Sequence, residues 1–388
     1  MQLSVSEIMT GLHHRSIDVR ECVFDWLEEQ RQLSPDVTHT MISVIELHGW
    51  RQSLRFPFRF SNTTLDESAF QWVLSQLKRT DEAAPGLNLK THLAGMIVGA
   101  PIPVIRPHVD SLLNNAAFCR IPDSTGRFHP RWSREARLRE RVVISELSPL
   151  TCWTRLIDHC HNSADADSLD DADIQYGKML VDHLATCGSD LATSVIQQLR
   201  SPDVSDKRAE EWFVGYLITL AGKMNLETAV PLIYRRFNEQ RDWHNEEISD
   251  ALARIGTPDT ITFLAERYPR EPWYVRLYST GVFERLREPN STETLLRLLD
   301  GENDDGLRVN LATALISQFD TCVIEVVKAV YDEQPEDPER GVLLEYLFAF
   351  SEIAGLDIPE ARDWELRIAE NWKAQQSSLF GPDSDDDF

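Results

Sequence analysis

The sequence has no apolar run long enough to cross a bilayer. Its most apolar stretch, HLAGMIVGAPIPVI (residues 92–105), is short and is broken by Pro101 and Pro103. The first residues, MQLSVSEIMTGLHHRS, lack the basic-then-apolar order of a secretion signal. Cysteine is sparse: Cys22, Cys119, Cys152, Cys160, Cys187 and Cys322 are scattered along 388 residues. That usage argues against a disulfide framework and predicts a reducing, cytoplasmic setting. Strand-like and helix-like segments do not alternate, which excludes a βαβ architecture. No nucleophile–base–acid constellation stands out, so no catalytic residue is assigned and no cofactor is expected.

What is present is apolar residues in quantity and acid in excess. Hydrophobic residues make up 42% of the chain, enough for a large core or for one shared along a stack. The net charge of −24 is unevenly spread. Residues 1–150 hold 17 Lys+Arg and 17 Asp+Glu, whereas residues 151–388 hold 22 and 46. A surface that acidic repels phosphate backbones, so the C-terminal part is a poor nucleic-acid binder and fits a basic or polar protein partner better.

The organising signal is a repeat. In ISDALARIGTPDTITFLAERYP (248–269), Ile248, Ala251, Leu252 and Ile255 form one helical stripe. Gly256 stops that helix, Thr257 can cap the next, and Pro258 suits its first position, where no N–H is needed. Asp259 then faces the positive end of the helix dipole. Ile261, Leu264, Ala265 and Tyr268 repeat the stripe, while Phe263 lies off it and calls for a neighbour. The same layout recurs in 219–233, 282–299 and 311–327. Leu220 lies 32 residues before Leu252, Glu227 lies 32 before Asp259, Pro289 follows Pro258 by 31, and Phe319 follows Ile255 by 64. In 282–299, Asn290 and Glu293 have capping-box spacing. A fixed period near 32 with a helix–turn–helix in each unit predicts an all-α fold: an α–α superhelix, or solenoid, of stacked antiparallel helix pairs. Weaker patterns at 19–49, 65–79, 142–160 and 176–199 also read as helical, and 55–62 reads as extended or irregular.

ALARIGTPDTITFL resembles the HEAT-like repeat of the phycobilisome-lyase type, whose units read Ala-Leu-x-x-Ile-Gly before an acidic-capped second helix. The resemblance covers about 210–330. It implies a curved stack of helix pairs, and most proteins with such repeats are scaffolds or binding modules. Three activities seen on HEAT-like repeats find little support here. The di-iron hydroxylases carry His-Glu dipeptides, and this chain has none. The DNA glycosylases need a cationic face, which the charge distribution argues against. The bilin lyases cannot be identified from the repeat alone.

Four other features bear on function. His159, His161, His183 and Cys187, with Cys152 and Cys160, cluster in one region, and His183 and Cys187 have a usable metal spacing. The alternative is core cysteines with surface histidines. DGENDDGLRVNL (300–311) fails as an EF-hand, with glycine at the seventh loop position and Leu311 where a glutamate is needed. On a helical wheel of 127–143, Arg134, Arg137 and Arg141 lie opposite an apolar face of Trp132, Ala136, Val143 and Leu147. That arrangement suits an anion- or partner-binding face, or a solvated one paired with Glu135 and Glu140. The tail, KAQQSSLFGPDSDDDF, reads as disordered. Within it QSSLF, with Gln376, Leu379 and Phe380, resembles the Gln-x-x-Leu-Phe peptide that docks on bacterial sliding clamps. The ending at Phe388 resembles the acidic tip of bacterial single-stranded-DNA-binding protein, without its Ile-Pro.

The expected organisation is a charge-balanced region of divergent helical repeats over 1–150, acidic HEAT-like repeats over 151–372 and a tail over 373–388. The expected function is a non-enzymatic protein-binding scaffold. The alternatives are an enzyme or enzyme subunit, lyase-like or metal-dependent, with its site in the concave groove, and a replication or repair accessory docking through the tail.

Overall fold

The computed structural model describes residues 2–53, 57–79, 89–119, 121, 133–166, 168–169, 171–333 and 340–380, and for residues 51, 57–58, 61, 117, 189 and 375–380 the backbone alone. The chain is all-α and built of stacked helix pairs. Among the described residues there is no strand; one isolated antiparallel bridge joins Gln2 to Asp320.

Local chemistry explains the pairs. The helix Asp242–Ile255 stops at Gly256, which takes the left-handed φ of 44°. Thr257 Oγ1 accepts the Thr260 N–H at 3.3 Å, and Pro258 opens the helix Pro258–Arg267. Phe263, off the main stripe, meets Tyr234 of the preceding pair edge-on at 5.2 Å. The other strongly patterned pairs also form: Lys207–Lys223 with Val230–Tyr234, Trp273–Glu284 with Ser291–Gly301, and Asp305–Ile316 with Ile324–Glu333. So do the weaker ones: Ile17–Glu29 with Pro35–His48, Arg134–Ile144 with Pro149–Asn162, and Ile174–Thr186 with Ala192–Arg200.

Three details differ from the sequence reading. Asn290 occupies a cap position, but its side chain makes no capping bond. Its backbone, at φ −99° and ψ 3°, is not in the extended conformation that aims a cap side chain along the first turn. Residues 57–62 form a 3-10 helix. The last helix, Ala361–Phe380, continues through residues where a disordered tail was expected.

Packing divides the chain into two compact units: residues 105–288, and residues 1–104 together with 289–388. These limits do not follow the charge step at residue 150, because charge patterning reports surface and compactness reports core.

In the 105–288 unit the first helices of successive pairs lie side by side and parallel. Gly222 meets Ala251 so closely that a Cβ there would sit 2.7 Å from the Ala251 Cα; only glycine permits that approach. Thr219 Oγ1 donates to Glu247 Oε2 at 2.6 Å, Lys178 Nζ reaches Glu247 Oε1 at 2.8 Å, and Ser249 Oγ donates to the Tyr278 carbonyl at 2.9 Å. Leu217, Leu220, Ile248 and Leu252 are fully buried between these helices. Each such side chain contributes about 1.5–3 kcal/mol.

The other unit is assembled from both ends of the chain. Helix Ile17–Glu29 packs against Arg340–Ile353. Trp26 Nε1 donates to the Ser317 carbonyl at 2.8 Å, and the Leu3 N–H donates to the Phe319 carbonyl at 2.9 Å. Phe319, buried and at φ 48°, is flanked by Trp26 at 5.3 Å and Phe350 at 5.0 Å. A bulky residue with positive φ is uncommon, and here aromatic packing and the carbonyl bond hold it in place.

Candidate functional site

The Cys/His region is mostly interior. His159 is 8% exposed, with Nε2 3.1 Å from the Tyr216 hydroxyl. Burial pushes its pKa down to about 4, so the ring is neutral at pH 7. Cys152 and Cys160 are buried, and desolvation raises both thiols, Cys152 to about 12, which keeps them unreactive. His183 Nε2 lies 2.9 Å from the Leu147 carbonyl, so that nitrogen carries the proton and donates. Cys187 Sγ lies 3.9 Å from the same nitrogen and 3.3 Å from the His183 carbonyl, while His161 is exposed at its helix end. Among the described residues no three or more His, Cys, Asp or Glu side chains come together in a way that could hold a metal ion. The structure thus pairs His183 with Cys187 and leaves His159 and His161 apart as ligands.

The arginine stripe is turned the other way from the wheel reading. Arg134 and Arg137 are 4% and 7% exposed, together with buried Leu138 and Ile144, while Val143 is 42% exposed. Arg134 Nη1 donates to the Ile121 carbonyl at 2.6 Å. Desolvation lowers the Arg141 pKa, opposed by nearby Asp182. The error lay in treating arginine as an outward residue: its stem packs like an aliphatic chain when its head finds acceptors. Gln376, Leu379 and Phe380 fall in the last turns of Ala361–Phe380, and Phe388 and Trp132 lie outside the described residues.

The feature that sequence reasoning missed is a cleft of about 490 Å³ in the 105–288 unit. On the helix side it is lined by the first turns of Lys207–Lys223 and Asp242–Ile255, and on the other side by the loop after Pro149–Asn162. Asp206 fixes the first helix start by accepting the Arg208 and Ala209 N–H groups at 2.8 and 2.9 Å. The half-buried indoles of Trp212 and Trp243 stand 5.1 Å apart, tilted by 47°. Gly215 makes room for the second: a Cβ there would lie 2.7 Å from the Trp243 ring. The Trp243 Nε1–H is buried without an acceptor, a cost of about 1–3 kcal/mol until one reaches it.

Ala164, Ala166 and Leu169 complete the apolar lining. Charge sits at the edge. Arg241 pairs with Glu211 at 2.7 Å and Arg208 with Asp165 at 3.0 Å. Both pairs are largely solvated, worth about 0–1 kcal/mol each, so an incoming group can displace them cheaply. His244 Nε2 donates to the Glu211 carbonyl at 3.0 Å, and desolvation lowers its pKa. The arrangement is an aromatic centre with a charged edge. A signal for it was available: Trp212 and Trp243 are spaced by 31 residues, close to the period of the repeat.

No protein-family model, no curated protein and no solved structure matches this chain. The described residues include no helix long and apolar enough to cross a membrane.

Proposed function

We propose that this chain is a cytoplasmic, non-enzymatic binding scaffold of HEAT-like repeats that docks a partner protein in the Trp212/Trp243 cleft. The observation that carries the reading is the indole pair, half-buried in an open cleft and edged by Arg208 and Arg241. Tryptophan and arginine are the residues that dominate protein interfaces, most strongly where an apolar centre is ringed by polar groups that exclude water. A cleft of this size takes a few side chains of a partner.

Selection of a random displayed-peptide library on the full chain, repeated on Trp212→Ala, tests this. The expected outcome is a set of peptides whose affinity falls at least about tenfold in the variant, as for an interface hot spot. Selected peptides that bind the variant equally well contradict the reading.

A further inference from the structure

The unfilled hydrogen-bonding capacity of the cleft is of one kind: donors. The helix Asp242–Ile255 begins on its wall, and Arg241 holds the cap position, where its side chain has no acceptor to offer and makes no capping bond. Among the described residues, no acceptor meets the N–H groups of Asp242, Trp243 and His244. The preceding turn is pinned: buried Asn245 accepts the Asn238 N–H at 3.0 Å and donates to the Asn238 carbonyl at 2.7 Å. The Trp243 side chain adds a donor independently of the helix start, because its Nε1–H is buried without an acceptor. The guanidinium groups of Arg208 and Arg241 stand at the edge in solvated pairs. The acceptors of the cleft are by contrast engaged. Glu211 is held by Arg241 and gives its carbonyl to His244, and Asp242 Oδ1 accepts the Tyr278 hydroxyl at 3.0 Å.

That inventory selects the charge of an occupant. A lysine or arginine would bring more donors to a set that lacks acceptors, and would meet like charge on Arg208 and Arg241. An ionised carboxylate answers the set: it has about four lone-pair sites and no donor. The backbone dipole at a helix start favours negative charge, and a guanidinium grips a carboxylate through two parallel bonds. Ala164, Ala166, Leu169 and the indoles leave the rest of the space to an apolar neighbour. The overall charge of −24 points instead to a basic or polar partner. That field is screened beyond about 8–10 Å, whereas the donors of the cleft act at contact distance.

We infer that the cleft takes an Asp or Glu side chain of the partner protein, its carboxylate on the donors of Arg241, Trp243 Nε1 and the uncapped helix start, with an adjacent apolar residue on the indoles. This rests on the docking reading above and adds the charge of what docks.

Three tripeptides, Leu-Glu-Phe, Leu-Gln-Phe and Leu-Lys-Phe, each acetylated and amidated so that the termini carry no charge, test this against the full chain. Their titration is followed by the indole N–H signals in nuclear magnetic resonance. The Glu peptide should move the Trp243 signal and bind at least about tenfold tighter than the Gln peptide, the worth of one charge-assisted bond, with the Lys peptide weakest. Arg241→Gln, folded by circular dichroism, should bring the Glu and Gln affinities within about threefold of each other. Trp243→Phe, which keeps an aromatic ring but no N–H, should lower the Glu affinity by about three- to tenfold. Equal binding of the Glu and Gln peptides, a Glu preference unchanged in both variants, or no movement of either cleft indole overturns the inference. Tightest binding of the Lys peptide, lost in Trp212→Ala, overturns the inference while leaving protein docking in the cleft standing. Binding of all three peptides that survives Trp212→Ala overturns both.

Discussion

The two units reach a buried core by opposite routes. In residues 105–288 the bonds that join helices span roughly one repeat: Thr219 to Glu247, Ser249 to Tyr278, His244 to Glu211. In the unit made from 1–104 and 289–388 the decisive bonds span most of the chain: Trp26 to Ser317, Leu3 to Phe319, Gln2 to Gln318. Repetition needs only a neighbour like oneself, so each pair can be extended or trimmed with modest consequence. Closure between remote segments concentrates stability in a few side chains, and loop entropy must be overcome before those contacts form. The difference also separates roles. The unit held by repeated local bonds carries the aromatic cleft, and the unit held by chain ends carries most of the charge: residues 289–388 alone hold 7 Lys+Arg and 23 Asp+Glu.

The contrast is most easily broken at Trp26. It is 1% exposed, bonds Ser317 and packs on Phe319. Trp26→Ala should cost about 3–5 kcal/mol by urea denaturation. A loss below about 1 kcal/mol means that closure does not depend on this contact. Next in size is a pH effect confined to the repeat-built unit. His159 has its pKa lowered to about 4 from a usual 6.5, so folding favours the neutral ring. The stability this group contributes is complete above pH 6.5 and is lost as pH falls towards 4, by about 3 kcal/mol. Stability curves at pH 7 and pH 4.5 should therefore diverge less in His159→Phe than in the parent chain, and an unchanged pH slope contradicts this.

Gly215→Ala should cost about 1–3 kcal/mol, because the new methyl group meets the Trp243 ring, and it should weaken cleft binding while leaving Trp26 fluorescence in place. An alanine accommodated without loss means that the indole is mobile. The smallest contrast is between two caps. Thr257→Ala removes a capping bond and should cost about 1 kcal/mol, whereas Asn290→Ala, which removes none, should cost a few tenths. Equal costs in chemical denaturation contradict the difference in cap geometry.

Legibility in the sequence followed the same division. Gly256, Thr257 and Pro258 announced their turn because each acts on its own backbone. The 32-residue spacing announced the stack because the partner of each pair is its neighbour. The union of the chain ends was invisible: Trp26 and Ser317 share no local pattern, and Phe319 in the left-handed region follows no glycine rule. The buried arginines misled because a wheel records polarity and not where a guanidinium finds carbonyls. The cleft was hidden for a different reason. Trp212 and Trp243 belong to no stripe or motif that the sequence singles out, and only their spacing of 31 residues, close to the repeat period, sets them apart.

The most direct test is to follow the indole N–H signals of the ten tryptophans by nuclear magnetic resonance during titration with the tightest displayed peptide. The account predicts that the Trp212 and Trp243 signals move with the peptide while that of Trp26, bonded to Ser317 in the other unit, stays fixed. Movement of Trp26 with Trp212 and Trp243 unchanged contradicts it.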